Sequence, residues 1–120
     1  MKKPALQPSL KGRALRLLSQ REHSRLELER KLAEHETEPG QLAKALDELQ
    51  ARGFISEARV IESVVHRRAS KLGTARIRQE LQSKGLAGEA VAEALDKLRT
   101  TELTRAREVW QRKFGAPAND

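Results

Sequence analysis

Leu42-Ala43-Lys44-Ala45-Leu46-Asp47-Glu48-Leu49 and Val91-Ala92-Glu93-Ala94-Leu95-Asp96-Lys97-Leu98 lie 49 positions apart, agree at five of eight places and differ at a sixth only by Leu for Val. Both set apolar residues at spacings of three and four, the period of one helix face. The agreement extends outward. At the same offset Leu28 falls on Ile77 and Leu32 on Leu81, and at an offset of 48 Ser56-Glu57-Ala58-Arg59 falls on Thr104-Arg105-Ala106-Arg107. Leucine-rich helices can resemble one another by chance, but here the capping and stop signals recur with the leucines, which favours an internal repeat. A single three-helix unit buries its apolar face poorly. Stacked units bury it together, and the result is an elongated array rather than a sphere.

Seven helices follow from this pattern. The first runs from Leu10 to Gln20 behind Ser9 as N-cap, with Leu10, Ala14, Leu17 and Leu18 on one face. The second starts at Ser24, which forms an S-x-x-E capping box with Glu27. The third spans Gly40 to Arg52 and stops at Gly53, where a left-handed residue is wanted. Ser56 caps the fourth, which runs to about Ser70. Its run Val60-Ile61-Glu62-Ser63-Val64-Val65 has the composition of a strand, but Ala58, Ile61, Val65, Ala69 and Leu72 continue one helical face for four turns. Thr74 is the expected cap of the fifth, which carries Ile77 and Leu81. The sixth covers Gly88 to Arg99, and the seventh begins near Thr101 and presents Leu103, Ala106, Trp110 and Phe114. The expected class is therefore all-α, with tandem three-helix repeats: a flexible arm (residues 1–8), repeat 1 (9–53), repeat 2 (54–99), the first helix of an incomplete third repeat (100–115) and a tail (116–120).

Composition narrows the function. The 120 residues carry 24 Lys and Arg against 17 Asp and Glu, a net charge of +7, and the excess is shared by both halves. Such a charge favours polyanions or an acidic protein groove. There is no cysteine, which excludes disulfides, thiolate metal sites and cysteine nucleophiles and fits a reducing compartment. Met1-Lys2-Lys3-Pro4 is not followed by a signal-peptide apolar stretch, and no apolar run approaches a membrane span. The expected location is the cytoplasm.

The richest basic stretch is His66 to Arg78, with Lys84 close behind. Arg67, Arg68 and Lys71 sit where a helix ends and complement its dipole. Arg76 and Arg78 sit where the next helix begins, and there the dipole disfavours them. That placement marks the group Arg67, Arg68, Lys71, Arg76, Arg78 and Lys84 as the first candidate for contact with phosphate or carboxylate. A second candidate patch is Arg13, Arg16, Arg21 and Arg25, although Glu22, Glu27 and Glu29 are near enough in sequence to neutralise part of it.

Other chemistry finds little support. Trp110 reads as core or inter-repeat packing rather than a base-stacking platform, since the only other aromatics are Phe54 and Phe114. The turn between the second and third helices is too long for a DNA-reading helix-turn-helix, and the third helix carries Asp47 and Glu48 with only Lys44 and Arg52 for balance. The three histidines are scattered, His23 and Ser24 are mere neighbours, and the glycines are isolated stops rather than a phosphate loop. No catalytic residue, metal or cofactor is expected.

Four stretches resemble the RecX family in order and spacing. They are Ala14 to Leu28, Leu46 to Arg59 (Leu-Asp-Glu-Leu-Gln-Ala-Arg-Gly-Phe-Ile-Ser-Glu-Ala-Arg), Gly73 to Gly85, and Ala106 to Gly115 with its ending Trp110-Gln111-Arg112-Lys113-Phe114-Gly115. Together they cover residues 10–115. The resemblance implies a non-enzymatic regulator of RecA, and the chain is expected to act as a monomer. Such a regulator binds the RecA filament on single-stranded DNA, with the DNA phosphate backbone as a further contact, and lowers its ATPase, recombinase and co-protease activities in DNA repair and the SOS response. The family usually continues through two more helices that complete a third repeat. The alternative from the residues alone is a non-specific nucleic-acid-binding helical protein without a recombinase partner.

Overall fold

The computed structural model describes residues 7–115. The expected tail, and all but the last two residues of the expected arm, lie outside that range. Six α-helices and one turn of 3-10 helix make up the described chain, and it contains no strand: α1 (Leu10–Gln20), α2 (Arg25–Leu32), the 3-10 turn Ala33–His35, α3 (Gln41–Ala51), α4 (Glu57–Arg68), α5 (Thr74–Ser83) and α6 (Glu89–Phe114).

The caps explain the starts. Ser9 accepts from the Gly12 N–H and Ser56 from the Arg59 N–H, while Ser24 and Glu27 satisfy each other's backbone in a complete capping box. Thr74 does not cap α5; it is the first helical residue, and Gly73 stands at the cap with no side chain to offer. The stops after α3 and α5 share one design. Gly53 and Gly85 adopt φ of 86° and 80°, so that Phe54 N–H reaches Leu49 O and Leu86 N–H reaches Leu81 O, both at 2.9 Å.

α1, α2 and α3 enclose one core, of Leu10, Ala14, Leu28, Leu32, Leu42, Leu46, Leu49 and Ile55. α4, α5 and the first half of α6 enclose another, of Val60, Ile61, Val64, Ile77, Leu81, Leu86, Val91, Leu95 and Leu98. The two share no residue. The molecule measures 86 × 30 × 23 Å with a radius of gyration of 20.8 Å, against about 13 Å for a compact domain of this length.

Other expectations need correction as well. The sixth and seventh helices are one, α6, which runs for 26 residues. The position of the helix-stopping Gly53 is taken 49 residues later by Glu102, which supports a helix. Thr100, Thr101 and Thr104 do not cap a new helix; each hydroxyl donates to the carbonyl four residues earlier. As a result α6 runs past the second core into solvent. Trp110 is therefore not packed in a core: it is 56% exposed and meets Phe114 at 5.7 Å between ring centres, with Leu103 and Phe114 more exposed still. The inward face of α4 is wider than the expected one: Ile61, Val65, Ala69 and Leu72 lie in or against the core as expected, and Val60 and Val64 join them. Val60, Ile61 and Val64 are buried, whereas Ala58 is exposed and joins Val65 and Ala69 in lining an open groove against α6.

Candidate partner-binding surface

The α4–α5 corner is built by a tight turn. Lys71 and Leu72 N–H both return to Arg68 O, at 3.0 and 2.8 Å, and Gly73 leads into α5. This corner holds five of the six first-choice cations, and the structure divides the six by partner. Arg68 donates to Glu80 at 3.0 Å and Arg67 lies 3.6 Å from the same carboxylate. Lys84 lies 2.9 Å from Glu27, in the other repeat, with both side chains only 12–13% exposed. Lys71, Arg76 and Arg78 are exposed and make no ion pair among the described residues. Within this patch they are the charges free for a partner.

The second patch divides likewise. Arg21 donates to Glu27 at 2.7 Å. Arg25 spans Glu29 at 3.2 Å and Asp47 at 2.7 Å, and it also reaches Gln50. Arg13 donates to the Gln7 side chain at 3.3 Å; neither it nor the exposed Arg16 makes an ion pair among the described residues.

Behind the first patch stands Glu27, which the sequence marks only as half of a capping box. Its carboxylate accepts from the Ser24 N–H, Arg21 and Lys84. Burial alone would raise its pKa, but these three donors outweigh that and bring it down to about 2. His23 is 1% exposed. Its Nδ1–H donates to Arg21 O at 3.0 Å, which leaves Nε2 as acceptor for the Lys31 ammonium at 3.1 Å. Burial, aided by Arg21 and Lys31, lowers its pKa from the ordinary 6.5, despite the Arg21 carbonyl. A base depressed in the fold contributes stability that is complete above its unfolded pKa and is lost as pH falls. Thermal melts should therefore show Tm declining between about pH 7 and about pH 5, and His23→Gln should flatten that decline. An equal slope in the variant contradicts this role for His23.

Among the described residues no group of three His, Cys, Asp or Glu side chains could hold a metal ion. His35 meets Glu34 at 3.4 Å as a simple pair. An open groove of about 960 Å³ lies between α4 and α6, lined chiefly by Ala58, Ile61, Val65, Ala69, Ala94 and Leu98. No described helix is long and apolar enough to cross a membrane.

Comparison with known proteins settles the family. Residues 11–49 match the sequence profile of the first three-helix domain of RecX, and residues 56–95 match that of the second. The chain belongs to the RecX family. These are regulatory proteins rather than enzymes. The regulatory protein RecX of Leptothrix cholodnii is 62% identical over 114 residues, covering 95% of this chain and 73% of that one. RecX of Ralstonia nicotianae is 49% identical over 112 residues (93% and 70% of the two chains), and RecX of Pseudomonas putida is 41% identical over 107 (88% and 75%). A crystal structure of regulatory protein RecX superposes with a TM-score of 0.66 over 90% of this chain at 22% identity, which speaks for the fold alone. This chain spans 58% of that protein's length. Residues 11–49 take in most of α1 to α3, and residues 56–95 take in α4, α5 and the first turns of α6.

Proposed function

We propose that this protein regulates RecA by binding along the RecA filament on single-stranded DNA and restraining its ATPase, recombinase and co-protease activities. The observation that carries the reading is membership of the RecX family through both three-helix domains. Lys71, Arg76 and Arg78, and across the junction Arg16, are the side chains it would present to acidic protein surface and DNA phosphate. An elongated basic array suits a partner that is itself extended and negatively charged. Held across neighbouring protomers, it hinders the filament's hydrolysis-linked changes without chemistry of its own. In this reading the protein acts as a monomer in the cytoplasm, and the second half of α6, from residue 100 on, opens a third repeat, which accounts for the solvent-facing Leu103, Trp110 and Phe114.

The net charge of +7 also fits a non-specific nucleic-acid binder. The two readings separate in a co-sedimentation assay at physiological salt. RecA-coated single strands should retain the protein far better than bare strands, whose hold is mostly counterion release and fades as salt rises. Equal retention by coated and bare strands contradicts the filament reading.

A further inference from the structure

The junction between the repeats is polar where the repeats themselves are apolar. Lys84, at the end of α5, lies 2.9 Å from Glu27 in the first turn of α2. Arg30 of α2 donates to Ser83 O at 3.0 Å. Arg59 of α4 donates to Glu22 at 2.9 Å and to Gly53 O at 2.6 Å. The apolar contribution at this point is Leu26 against Gly85, packed so closely that a Cβ at Gly85 would stand 2.9 Å from Leu26 Cδ2. No buried apolar residue belongs to both cores.

We infer that this junction is a polar clasp: the two three-helix units are separately packed bodies, their mutual angle is fixed by Lys84 gripping Glu27, and release of that grip lets the array bend at residues 52–56 with both cores intact. The inference goes beyond the RecA reading and does not depend on it. Three facts point the same way. The Lys84 and Glu27 side chains are only 12–13% exposed, so their bridge is screened far less than a surface pair; without Lys84, Glu27 keeps Arg21 and the Ser24 N–H, both in its own repeat, and loses its grip across the junction. The Arg59–Glu22 bridge is more open, 44% and 31% exposed, and cannot hold the angle alone. The covalent link is a short turn around Gly53, a residue already in the left-handed region, where backbone rotation meets no side chain. A regulator laid along a helical target gains from such a joint, since it can follow the target's curvature without unfolding.

The chain contains no cysteine, so spin labels can be placed at will. Lys44→Cys on α3 and Ala92→Cys on α6 are exposed positions in the two repeats. Pulsed electron-electron resonance on the doubly labelled protein should give a single narrow distance peak. Adding Lys84→Met should replace it with a broad distribution, while far-UV circular dichroism stays at the parent value. Glu27→Gln, which keeps an acceptor for the Ser24 N–H, should broaden it as well. A narrow peak that survives Lys84→Met overturns the inference. So does loss of helical signal in that variant, because the pair would then be holding a core together rather than an angle.

Discussion

Arg76→Glu combined with Arg78→Glu should weaken binding to RecA-coated single strands by about 100-fold or more, with a melting temperature equal to or slightly above that of the parent. Both arginines are exposed at the start of α5 and form no ion pair among the described residues, so the fold loses no ion pair with them. Their charge opposes the positive end of the helix dipole, and reversal turns a small local penalty into a small gain. At a partner surface of opposite sign the same reversal puts like charges face to face at two points, which costs several kcal/mol. Stability and binding then move in opposite directions, which misfolding cannot imitate. Arg68 makes the control, because its reversal would also confront Glu80 at 3.0 Å and should lower stability along with binding. Unchanged affinity in a well-folded double mutant would move the contact to the other free cations, Lys71 and Arg16.

Leu81→Ala should cost about 2–5 kcal/mol, a large part of the roughly 5–15 kcal/mol that holds a domain of this kind, and lower Tm by at least about 10 °C. Leu81 is fully buried in the α4–α5–α6 core, and its neighbours cannot close the cavity without moving whole helices. Because the α1–α2–α3 core contains none of the same residues, the damage should stay on one side. Native-state hydrogen exchange should find amides of α4, α5 and the first half of α6 losing protection while Leu28 and Leu46 keep theirs. Equal loss in both repeats would show a single cooperative core and contradict the division into two.

The sequence made the helix starts and most of the apolar faces readable because those signals are local. A serine three residues before the amide it accepts from, or leucines three and four apart, can be seen in a short window, and Ser9, Ser24, Ser56, Leu46 and Leu95 all act as their spacing implies. The break near Thr101 misled for an equally physical reason. A threonine before Glu-Leu resembles an N-cap, but the same hydroxyl can bond back to a carbonyl four residues earlier, and without a glycine nothing forces the chain out of the helix. The face of α4 was ambiguous because apolar residues surround that helix on more than one side, and packing against α5 and α6 chose Val60 and Val64.

The candidate surface was legible as a set of charges and not as a set of free charges. Arg67, Arg68 and Lys84 look like Lys71, Arg76 and Arg78 in a list of residues. What separates them is Glu80, brought alongside α4 by the α4–α5 turn, and Glu27, which is 57 positions from Lys84. Pairing over that separation exists only once the repeats are stacked, so no local pattern announces it. The same holds for Arg59 and Arg30, whose partners Glu22 and Ser83 lie across the junction.

The most direct test of RecA regulation is ATP hydrolysis by RecA on single-stranded DNA, titrated with this protein from substoichiometric to equimolar and beyond. The hydrolysis rate should fall progressively, and the Arg76→Glu, Arg78→Glu double variant should fail to produce that fall. A rate unchanged up to a large molar excess would contradict RecA regulation.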